Sequence, residues 1–485
     1  MSLEGWPTTV AQVFDRALAN RPDAEALVTR SGRLTYRELD QWADRAADAL
    51  LAMGVRPGDR VAGSLPNDLD VVLAFHGAMR VGAVWVGVNR ALAAPEKAYI
   101  VEDSGASLLL DDDHLDEWRA ALDAAPSDGR PAFDVDPDAP AGIAYTSGTT
   151  GHPKGAVHSQ RNLLTPGAVV VATRGYGPDL RKGDCLPLTI LNLMVLTTLL
   201  VAQAEGCCIV MDRIDPEGVA QWVRDERVTT WNGPPALLHG LATNEAVQAG
   251  DLATLDEVWT GGADCPEAIR QMFERKFGLP VLATYGLSEA PTIVSIDPRG
   301  GPHVDGSSGR PLPHLAVRID DGGEVCVGPV TEGPWAGRYR LMLSYWQRPE
   351  ATEEALRGGE LHTGDIGFLD DDGNLHIRDR KSLVIIRGGA NVYPAEVERV
   401  LQAAPGVAAC AVAGVADERL GERVVAAVEL AAGAPADPEA LRAHCLEHLA
   451  RYKVPERFVF VDAFPRNSMG KISRRDLPDL LDESS

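Results

Sequence analysis

The beginning of the chain alternates between two hydrophobic patterns, one typical of strands and one typical of helices. Residues 24–29 and 59–64 are short runs rich in apolar side chains, and they predict strands. Residues 36–53 carry apolar side chains at helical spacing, and residues 68–81 predict a second helix. Because strands and helices alternate, the pattern predicts an α/β fold with parallel strands.

The middle of the chain continues this pattern and then departs from it. A loop rich in Pro and Asp, 126–140, precedes a short apolar strand at 142–145, and α/β units continue to about residue 300. Residues 317–377 contain short strand-like runs separated by Gly and Asp turns, which predicts antiparallel β structure.

A new pattern begins after Arg380. Strands are predicted at 406–415 and 424–430, and a helix at 438–450. We therefore predict a domain boundary near residues 380–383. It separates a large α/β domain, residues 1–380, from a small α+β domain, residues 381–485.

Composition limits the classes of function. The chain has 485 residues, an apolar fraction of 45% and a charged fraction of 24%, which are typical of a globular protein. Its net charge of −24 argues against nucleic acid as a partner and disfavours an anionic membrane surface. A site for a negatively charged substrate must therefore be locally basic or hold a metal ion.

The cysteines and the N-terminus indicate a cytoplasmic location. The seven cysteines have no metal-binding spacing and are predicted to be reduced thiols, and residues 1–6 do not resemble a signal peptide. Residues 185–204 carry no charge over about the length of a membrane span. Because they include several polar residues and lack flanking basic clusters, we predict a buried helix and no membrane span.

The strongest local signal is the segment Tyr145-Thr-Ser-Gly-Thr-Thr-Gly-His-Pro-Lys-Gly155, which directly follows a predicted strand. Glycines let backbone N–H groups approach an anion, hydroxyls add donors, and a lysine adds positive charge. Gly155 stands where a Walker A loop requires Ser or Thr, so the loop is of another type. The predicted phosphate-binding residues are Thr146, Ser147, Gly148, Thr149, Thr150, Gly151 and Lys154.

Five further segments follow in the chain: Thr260-Gly-Gly-Ala-Asp264, Tyr285-Gly-Leu-Ser-Glu289, Glu360-Leu-His-Thr-Gly-Asp365 with Arg380 after it, Gly388-Gly-Ala-Asn-Val-Tyr-Pro394, and Pro465-Arg-Asn-Ser-Met-Gly-Lys-Ile-Ser473. Together with the phosphate loop they resemble the motifs of the adenylate-forming superfamily, which includes acyl-CoA synthetases, peptide-synthetase adenylation domains and luciferases. The resemblance extends over nearly the whole chain.

The resemblance implies a role for each matching residue. The segment Gly261, Gly262, Ala263 and Asp264 corresponds to the adenine-binding segment. In the next motif Tyr285 would pack on adenine beside Gly286, Ser288 would contact the α-phosphate, and Glu289 would hold Mg²⁺. Asp365 would bind the ribose hydroxyls, and Arg380 would contact ribose and phosphate.

The C-terminal motifs imply a domain that changes orientation between two reaction steps. Lys471 corresponds to the lysine that reaches the acyl carboxylate and the α-phosphate, and Gly388 and Gly389 to the loop of the thioester step. The implied fold is a large domain of α/β sheets with a small distorted β-barrel, followed by a small mobile α+β domain. The implied hinge residue is Ser382.

The implied chemistry has two half-reactions. A carboxylate attacks the α-phosphate of ATP, which gives acyl-AMP and pyrophosphate, and the thiol of coenzyme A then displaces AMP. The cofactors implied are ATP, Mg²⁺ and coenzyme A. The residues expected to act in catalysis are Thr146, Lys154, Glu289 and Lys471.

Two departures from the superfamily pattern bear on which acyl acceptor and which acid the protein uses. The hinge has Ser382 and Leu383 where charged residues are common, which keeps open a stand-alone acyl-AMP ligase that delivers to a carrier protein or to a separate enzyme. Thr189 and Ile190 replace the usual His or aromatic residue near the acyl pocket. We therefore predict an apolar pocket for a bulky or medium-to-long acid, formed by Ile190, Asn192, Trp231, Gly233, Leu282 and Gly286.

A non-catalytic adenylate-binding protein is a further alternative. The five charged residues of the motifs argue against it, because a protein that had lost catalysis would be expected to have lost some of them; they are Lys154, Glu289, Asp365, Arg380 and Lys471. A luciferase-type oxygenase shares the motifs, but no feature of the sequence favours it. A homodimer is compatible with the sequence.

Overall fold

The computed structural model describes residues 5–126, 129–131, 133–146, 153–262, 265–301, 303–387, 390–417, 420–466, 472–474 and 477–482. The chain divides into two compact units. The first consists of Met1–Val317 and Cys326–His362, and the second of Arg318–Val325 and Thr363–Ser485.

The strands, in chain order, are β1 Glu25–Val28, β2 Arg33–Thr35, β3 Arg60–Gly63, β4 Val84–Gly87, β5 Leu108–Leu110, β6 Pro140–Thr146, β7 Lys154–Ser159, β8 Arg181–Asp184, β9 Cys207–Val210, β10 Thr230–Asn232, β11 Glu257–Gly261, β12 Val281–Tyr285, β13 Ser295–Ile296, β14 Arg310–Pro311, β15 Leu315–Ile319, β16 Glu324–Pro329, β17 Ser344–Tyr345, β18 Leu361–Leu369, β19 Leu375–Arg380, β20 Ile385–Arg387, β21 Ala390–Val392, β22 Val407–Asp417, β23 Gly421–Leu430 and β24 Arg457–Val461.

The α-helices are α1 Asp15–Asn20, α2 Tyr36–Ala52, α3 Leu69–Val81, α4 Ala94–Ser104, α5 Leu115–Ala124, α6 Gln160–Arg174, α7 Leu191–Met194, α8 Leu200–Ala204, α9 Pro216–Asp225, α10 Pro235–Thr243, α11 Glu267–Phe277, α12 Pro349–Ala355, α13 Pro394–Gln402, α14 Pro438–His448 and α15 Leu477–Asp482. Short 3-10 helices lie at Val10–Gln12, Asp112–His114, Ala249–Leu252, Arg357–Gly359, Lys381–Leu383 and Arg451–Lys453.

Two sheets form the framework of the first unit. One has nine strands in the order β14-β13-β12-β11-β10-β8-β9-β1-β2, and the other has six in the order β17-β7-β6-β4-β3-β5. In the nine-stranded sheet the strands from β12 to β1 are parallel to their neighbours, as the alternating pattern predicts. A buried cluster around Trp231 packs β10 and its neighbours against α9, α10 and α11.

The predicted elements of the first unit agree with the structure within a few residues. The strands predicted at 24–29 and 59–64 are β1 and β3, and the helices predicted at 36–53 and 68–81 are α2 and α3. Helix α2 begins after Thr35, whose side chain accepts a hydrogen bond from the backbone N–H of Glu38. Helix α3 ends before Gly82, which has a left-handed backbone with φ of 76°.

The uncharged stretch 185–204 is helical from Leu191 onward. It contains α7, a π-helical turn at Val195–Leu199, and α8, which follow one another without a gap, and nearly all of these residues are buried. The predicted buried helix is therefore present, but it begins at Leu191 and contains a π-helical turn. Among the described residues, no helix has the length and apolar character that crossing a membrane requires.

The second unit contains a sheet with two buried faces. The strands predicted at 406–415 and 424–430 are β22 and β23, which pair in antiparallel fashion, and the predicted helix at 438–450 is α14. Cys410 and Val412 belong to a core cluster with α13 and α14, whereas Ala409 and Ala411 belong to a cluster with α15. The alternation follows from the two-residue period of a strand.

The predicted domain boundary at 380/381 lies inside the second unit. Residues 318–325 and 363–380 group with the C-terminal segment, and the division falls within the strands of a four-stranded sheet of order β15-β16-β18-β19. The boundary for domain motion near 380–383 stays a prediction.

Candidate active site

The predicted phosphate loop connects the two strands of a hairpin. Strands β6 and β7 are antiparallel, and Thr146 pairs with Lys154, so the hairpin remains regular up to the loop. The hydroxyl of Thr146 lies 3.5 Å from the carbonyl oxygen of Lys154. The predicted loop residues Ser147, Gly148, Thr149, Thr150 and Gly151 lie outside the described residues.

Lys154 and Glu289 contact the same aromatic side chain. The ammonium of Lys154 lies 5.4 Å from the ring centroid of Tyr345, within the range of a cation–π interaction. The hydroxyl of Tyr345 donates a hydrogen bond of 2.7 Å to Oε1 of Glu289. The structure therefore brings together a cation suited to phosphate and a carboxylate suited to Mg²⁺.

Tyr345 is a site residue that the sequence analysis missed. It belongs to β17, which pairs with β7 so that Tyr345 stands opposite Ala156. The segment Ser344-Tyr-Trp-Gln347 carries no glycine-rich or charged pattern that would single it out. Tyr345 is brought next to Lys154 and Glu289 only by the pairing of β17 with the loop hairpin, which the sequence does not indicate.

The segment that contains Glu289 turns sharply after β12. A Cβ at Gly286 would lie 1.7 Å from the carbonyl oxygen of Thr292, so only glycine fits there. Leu287 forms an isolated bridge with Pro291, and the backbone N–H of Val294 donates to the carbonyl oxygen of Tyr285. The turn thus presents Ser288 and Glu289 beyond the end of the strand.

His158 holds this turn against the loop hairpin, and the sequence analysis missed it too. Its Nε2 donates a hydrogen bond of 2.6 Å to the carbonyl oxygen of Ser288. Burial lowers the pKa of His158 to about 4, so the imidazole is neutral near pH 7 and carries its proton on Nε2. Its Nδ1 has no hydrogen-bond partner among the described residues.

The predicted adenine segment lies beside this turn. Strands β11 and β12 are parallel, with Gly261 opposite Thr284, so Gly261 and Tyr285 both lie at the carboxyl ends of neighbouring strands. This edge of a parallel sheet is where α/β folds bind ligands. A Cβ at Gly261 would lie 2.0 Å from Oγ1 of Thr284, and Gly262 has φ of 75°. Ala263 and Asp264 lie outside the described residues.

The predicted acyl-pocket residues differ in their exposure. Ile190, Asn192 and Gly286 are partly exposed, whereas Gly233 is buried. Leu282 is buried in β12, and Trp231 is fully buried in the core behind the nine-stranded sheet. The role of these side chains in acid binding stays a prediction, and Trp231 contributes to the core.

In the second unit, the predicted ribose-binding residues form an ion pair. Asp365 and Arg380 stand opposite each other in β18 and β19, and Nε of Arg380 lies 2.7 Å from Oδ1 of Asp365. The side chain of Asp365 is 5% exposed and that of Arg380 is 49% exposed. The arginine therefore orients the carboxylate at the end of a pair of strands whose register shifts just beyond it, between Ile366 and Gly367.

Neighbouring side chains fix the predicted hinge segment. Oδ2 of Asp379 accepts a hydrogen bond of 2.7 Å from the backbone N–H of Ala395, in the first turn of α13. Lys381 forms an ion pair of 3.0 Å with Glu324, a buried carboxylate. The backbone of the predicted hinge forms the 3-10 turn Lys381–Leu383, while the side chain of Ser382 lies outside the described residues.

Gly388, Gly389 and Lys471 also lie outside the described residues, but the segment that follows Lys471 is described. Both carboxylate oxygens of Glu398 accept hydrogen bonds of 2.7 Å from Nη2 of Arg474. Oε1 of Glu398 also accepts one from the backbone N–H of Val412. This pair attaches the end of the last motif to the sheet of the second unit.

Two family profiles match the chain. The profile described as AMP-binding enzyme matches residues 14–346, and that described as AMP-binding enzyme C-terminal domain matches residues 396–471.

Curated relatives match along nearly their full length. Long-chain-fatty-acid–CoA ligase FadD13 of Mycobacterium tuberculosis is 35% identical over 91% of this chain and 92% of its own. A feruloyl-CoA synthase of Amycolatopsis sp is 36% identical over 98% of both chains. Fatty acid–[acyl-carrier-protein] ligase ScoC of Streptomyces coeruleorubidus is 34% identical over 97% of this chain and 96% of its own.

The fold also matches solved structures. The crystal structure of ATP-bound MatB from Rhodopseudomonas palustris superposes with a TM-score of 0.89 and 28% identity, covering 98% of this chain and 99% of that one. The predicted α/β fold with a small C-terminal domain is thereby confirmed.

Proposed function

The chain belongs to the family of AMP-binding enzymes and is an AMP-forming acid–thiol ligase; we propose that it activates a bulky, largely apolar carboxylic acid and transfers the acyl group to coenzyme A. The observation that carries the proposal is the shared contact of Lys154 and Glu289 with Tyr345, beside the hairpin of the phosphate loop. One cation and one carboxylate at a glycine- and hydroxyl-rich loop suit a nucleoside triphosphate with a divalent metal ion.

The donor chemistry at Glu289 fits Mg²⁺. Mg²⁺ prefers hard oxygen ligands and is usually held by one or two carboxylates together with substrate phosphates. Glu289 supplies such a carboxylate, and the hydrogen bond from Tyr345 orients it. When bound, Mg²⁺ would offset part of the charge on the triphosphate.

In the first half-reaction, we propose that an oxygen of the acid attacks the α-phosphorus while pyrophosphate departs. Lys154 and the hydroxyl of Thr146 would hold the phosphates, and Ser288 would face the α-phosphate. Lys471 would neutralise charge on the attacking and bridging oxygens, which lowers the barrier most if its position is fixed before reaction. The Asp365–Arg380 pair would bind the ribose.

In the second half-reaction, the thiolate of coenzyme A would attack the acyl carbon and AMP would depart as the leaving group. We assign this step to the loop with Gly388 and Gly389, after reorientation of residues beyond the hinge at Ser382. No enzyme nucleophile is needed, because acyl-AMP is already an activated acid.

Two observations support an apolar acid. Ile190 is apolar and partly exposed at a position where the superfamily commonly has a His or an aromatic residue near the acyl pocket. Thr189 beside it is buried. Relatives named for a long-chain fatty acid and for a feruloyl group both match at about one-third identity. Both kinds of acid place a large apolar body behind the carboxylate.

A carrier protein is the second candidate acceptor. It is favoured by Leu383 at the hinge and by the similarity to ScoC, which is named for transfer of a fatty acid to an acyl carrier protein. This chain would then stop at acyl-AMP unless the carrier is present. A cytoplasmic location and a homodimer remain predictions from the sequence.

The test is pyrophosphate release with ATP, Mg²⁺ and a panel of carboxylic acids, with products identified by mass. Each acid is supplied alone, with coenzyme A, or with a phosphopantetheinylated carrier protein, and Lys471→Ala serves as the control. We expect acyl-CoA from fatty or aromatic acids and none from acetate or amino acids. Acyl-AMP that accumulates with coenzyme A and is consumed by the carrier would favour the second candidate.

A further inference from the structure

Four polar side chains form a cluster behind the hairpin of the phosphate loop. We call it the Asp103 cluster, and its members are Tyr99, Asp103, Tyr145 and Arg348. Tyr99 and Asp103 lie one turn apart on α4, Tyr145 lies in β6, and Arg348 directly precedes α12. The side chain of Asp103 is 11% exposed, so its charge requires partners.

The cluster contacts the chain on both sides of the loop. On the N-terminal side, the hydroxyl of Tyr145 donates a hydrogen bond of 2.8 Å to Oδ2 of Asp103. On the C-terminal side, the hydroxyl of Tyr99 donates one of 3.1 Å to the carbonyl oxygen of Pro153. One face of α4 therefore holds both Tyr145 and the residue before Lys154.

The hydrogen-bond directions in the cluster are mutually consistent. Arg348 forms an ion pair with Oδ1 of Asp103, and it also donates to the hydroxyl of Tyr99 over 3.5 Å. The hydroxyl of Tyr99 also lies 3.4 Å from Oδ1 of Asp103, but the carbonyl oxygen of Pro153 at 3.1 Å is the nearer acceptor for its single proton. The single proton of Tyr145 is directed at Asp103. Burial and the neighbouring Asp103 both raise the pKa of Tyr145, which keeps it protonated and able to donate.

The same segment that supplies Arg348 also supplies Tyr345. The backbone N–H of Trp346 donates to the carbonyl oxygen of Gly155, and its indole Nε1 donates over 3.0 Å to the carbonyl oxygen of Asp103. The backbone of Asp103 and its side chain therefore both hold this segment. Trp346, which donates to Asp103, directly follows Tyr345, which donates to Glu289. The Asp103 cluster is thereby connected to the Tyr345–Glu289 contact.

We propose that Asp103 is a positioning residue for ATP: together with Tyr145 and Tyr99 it fixes both ends of the phosphate loop against α4. The inference rests on the proposed function of residues 146–154 as the ATP phosphate loop. Asp103 is 11% exposed and its charge is neutralised by Arg348, so it would act on the loop through its neighbours. The pairing of Thr146 with Lys154 sets the separation of the loop ends, and the contacts with α4 hold that pair of strands in place for a loop that must present several donors at once.

The experiment measures ATP affinity by calorimetry and the KM values for ATP and for the acid, using Tyr145→Phe and Asp103→Asn in the full chain. Tyr145→Phe removes only the hydroxyl that reaches Asp103. Tyr339→Phe is the matched control, because its buried hydroxyl has no hydrogen-bond partner among the described residues. Melting temperatures report whether each variant is folded.

We expect the Kd for ATP to rise about tenfold in each of the two variants, since hydrogen bonds to a buried charged group are strong. The KM for the acid at saturating ATP should stay within about twofold of the wild-type value. The double variant Tyr145→Phe with Asp103→Asn should cost less than the two single changes combined, because both remove the same contact. Tyr339→Phe should change neither constant.

Unchanged ATP affinity in folded Tyr145→Phe would overturn the inference, and so would equal losses for ATP and acid. If Asp103→Asn fails to fold, Tyr145→Phe alone decides. Wild-type protein that binds no ATP would overturn the proposed function and this inference with it. Wild-type binding together with unaffected variants would overturn this inference alone.

Discussion

His158 donates a hydrogen bond from Nε2 to the carbonyl oxygen of Ser288, over 2.6 Å. His158 lies in β7, the strand that begins with Lys154, and Ser288 directly precedes Glu289. The bond therefore connects the strand that carries the predicted phosphate lysine to the turn that carries the predicted metal ligand. His158 itself is fully buried, so loss of its partner would leave the imidazole N–H unsatisfied.

Replacing His158 should disturb the turn around Glu289. His158→Phe keeps a ring but leaves the partly exposed carbonyl of Ser288 without this donor, which should cost about 1 kcal/mol of stability. We expect kcat for acyl-AMP formation to fall at least tenfold, measured by pyrophosphate release. His158→Gln, which retains an N–H donor, should recover part of both losses. Equal activity of the Phe and Gln variants would contradict this role.

Three buried histidines should make stability depend on pH. Burial lowers the pKa of His76 and of His314 to about 3 and that of His158 to about 4, below the ordinary value of 6.5. The unfolded chain therefore binds more protons below pH 6.5, so stability is lost as pH falls through this window. Each histidine contributes up to about 1.4 kcal/mol per pH unit.

Urea denaturation at pH values from 7.5 to 5 measures this slope. His314→Phe keeps a ring against Tyr339, which lies 5.0 Å away in an edge-on arrangement, and should reduce the slope below pH 6.5. A free energy of unfolding that is flat from pH 7 to pH 5 would count against the three histidines being buried in the neutral form.

Tyr345→Phe should weaken metal binding while leaving contact with Lys154 in place. The change removes the hydrogen bond that orients Glu289 but retains the ring under the ammonium. Loss of a hydrogen bond that orients a metal ligand typically costs ten- to a hundredfold in affinity, so we expect the Mg²⁺ requirement to rise about tenfold.

The measurement is the rate of acyl-AMP formation as a function of free Mg²⁺ at saturating ATP. Tyr345→Leu, which also removes the cation–π contact, should raise the KM for ATP in addition. An unchanged Mg²⁺ dependence in the Phe variant would show that Tyr345 does not orient the ligand.

Glu398→Gln should affect the two half-reactions unequally. Glu398 binds Arg474 through both oxygens, and Arg474 follows the predicted catalytic lysine by three residues. Breaking a fully buried ion pair costs about 3–5 kcal/mol; this pair is partly exposed, so its loss should cost less, and the loss falls on the segment that carries Lys471. We expect acyl-AMP formation to slow more than thioester formation from supplied acyl-AMP.

Arg474→Lys keeps the charge but not the paired hydrogen bonds, so it should show a smaller loss in the same direction. Equal slowing of both half-reactions would mean that the pair stabilises the whole second unit and has no particular effect on Lys471.

Much of the secondary structure of this protein can be predicted from its sequence. The strands β1 and β3 and the helices α2 and α3 follow from hydrophobic period, because one buried face imposes a repeat of two or of about 3.6 residues. The glycines of the motifs can also be recognised from the sequence. Gly286 and Gly261 stand where a side chain would collide with backbone or with Thr284.

The contacts that position the motifs could not be predicted in this way. His158 and Ser288 are separated by 130 residues, Tyr345 and Glu289 by 56, and Tyr145 and Asp103 by 42. No sequence motif marks His158, Tyr345 or Asp103 as a residue of the site. The π-helical turn in 185–204 and the core position of Trp231 were missed for the same reason, since both depend on what packs from elsewhere in the chain.

The sequence by itself determined the family and its chemistry, because phosphate, adenine and ribose each require a short run of residue types that the backbone must present in one piece. Only the tertiary structure decided which distant side chains hold those runs in place. A hydrogen bond such as that from Tyr145 to Asp103 depends on how a strand and a helix pack, and packing is a property of the folded chain, not of either segment alone.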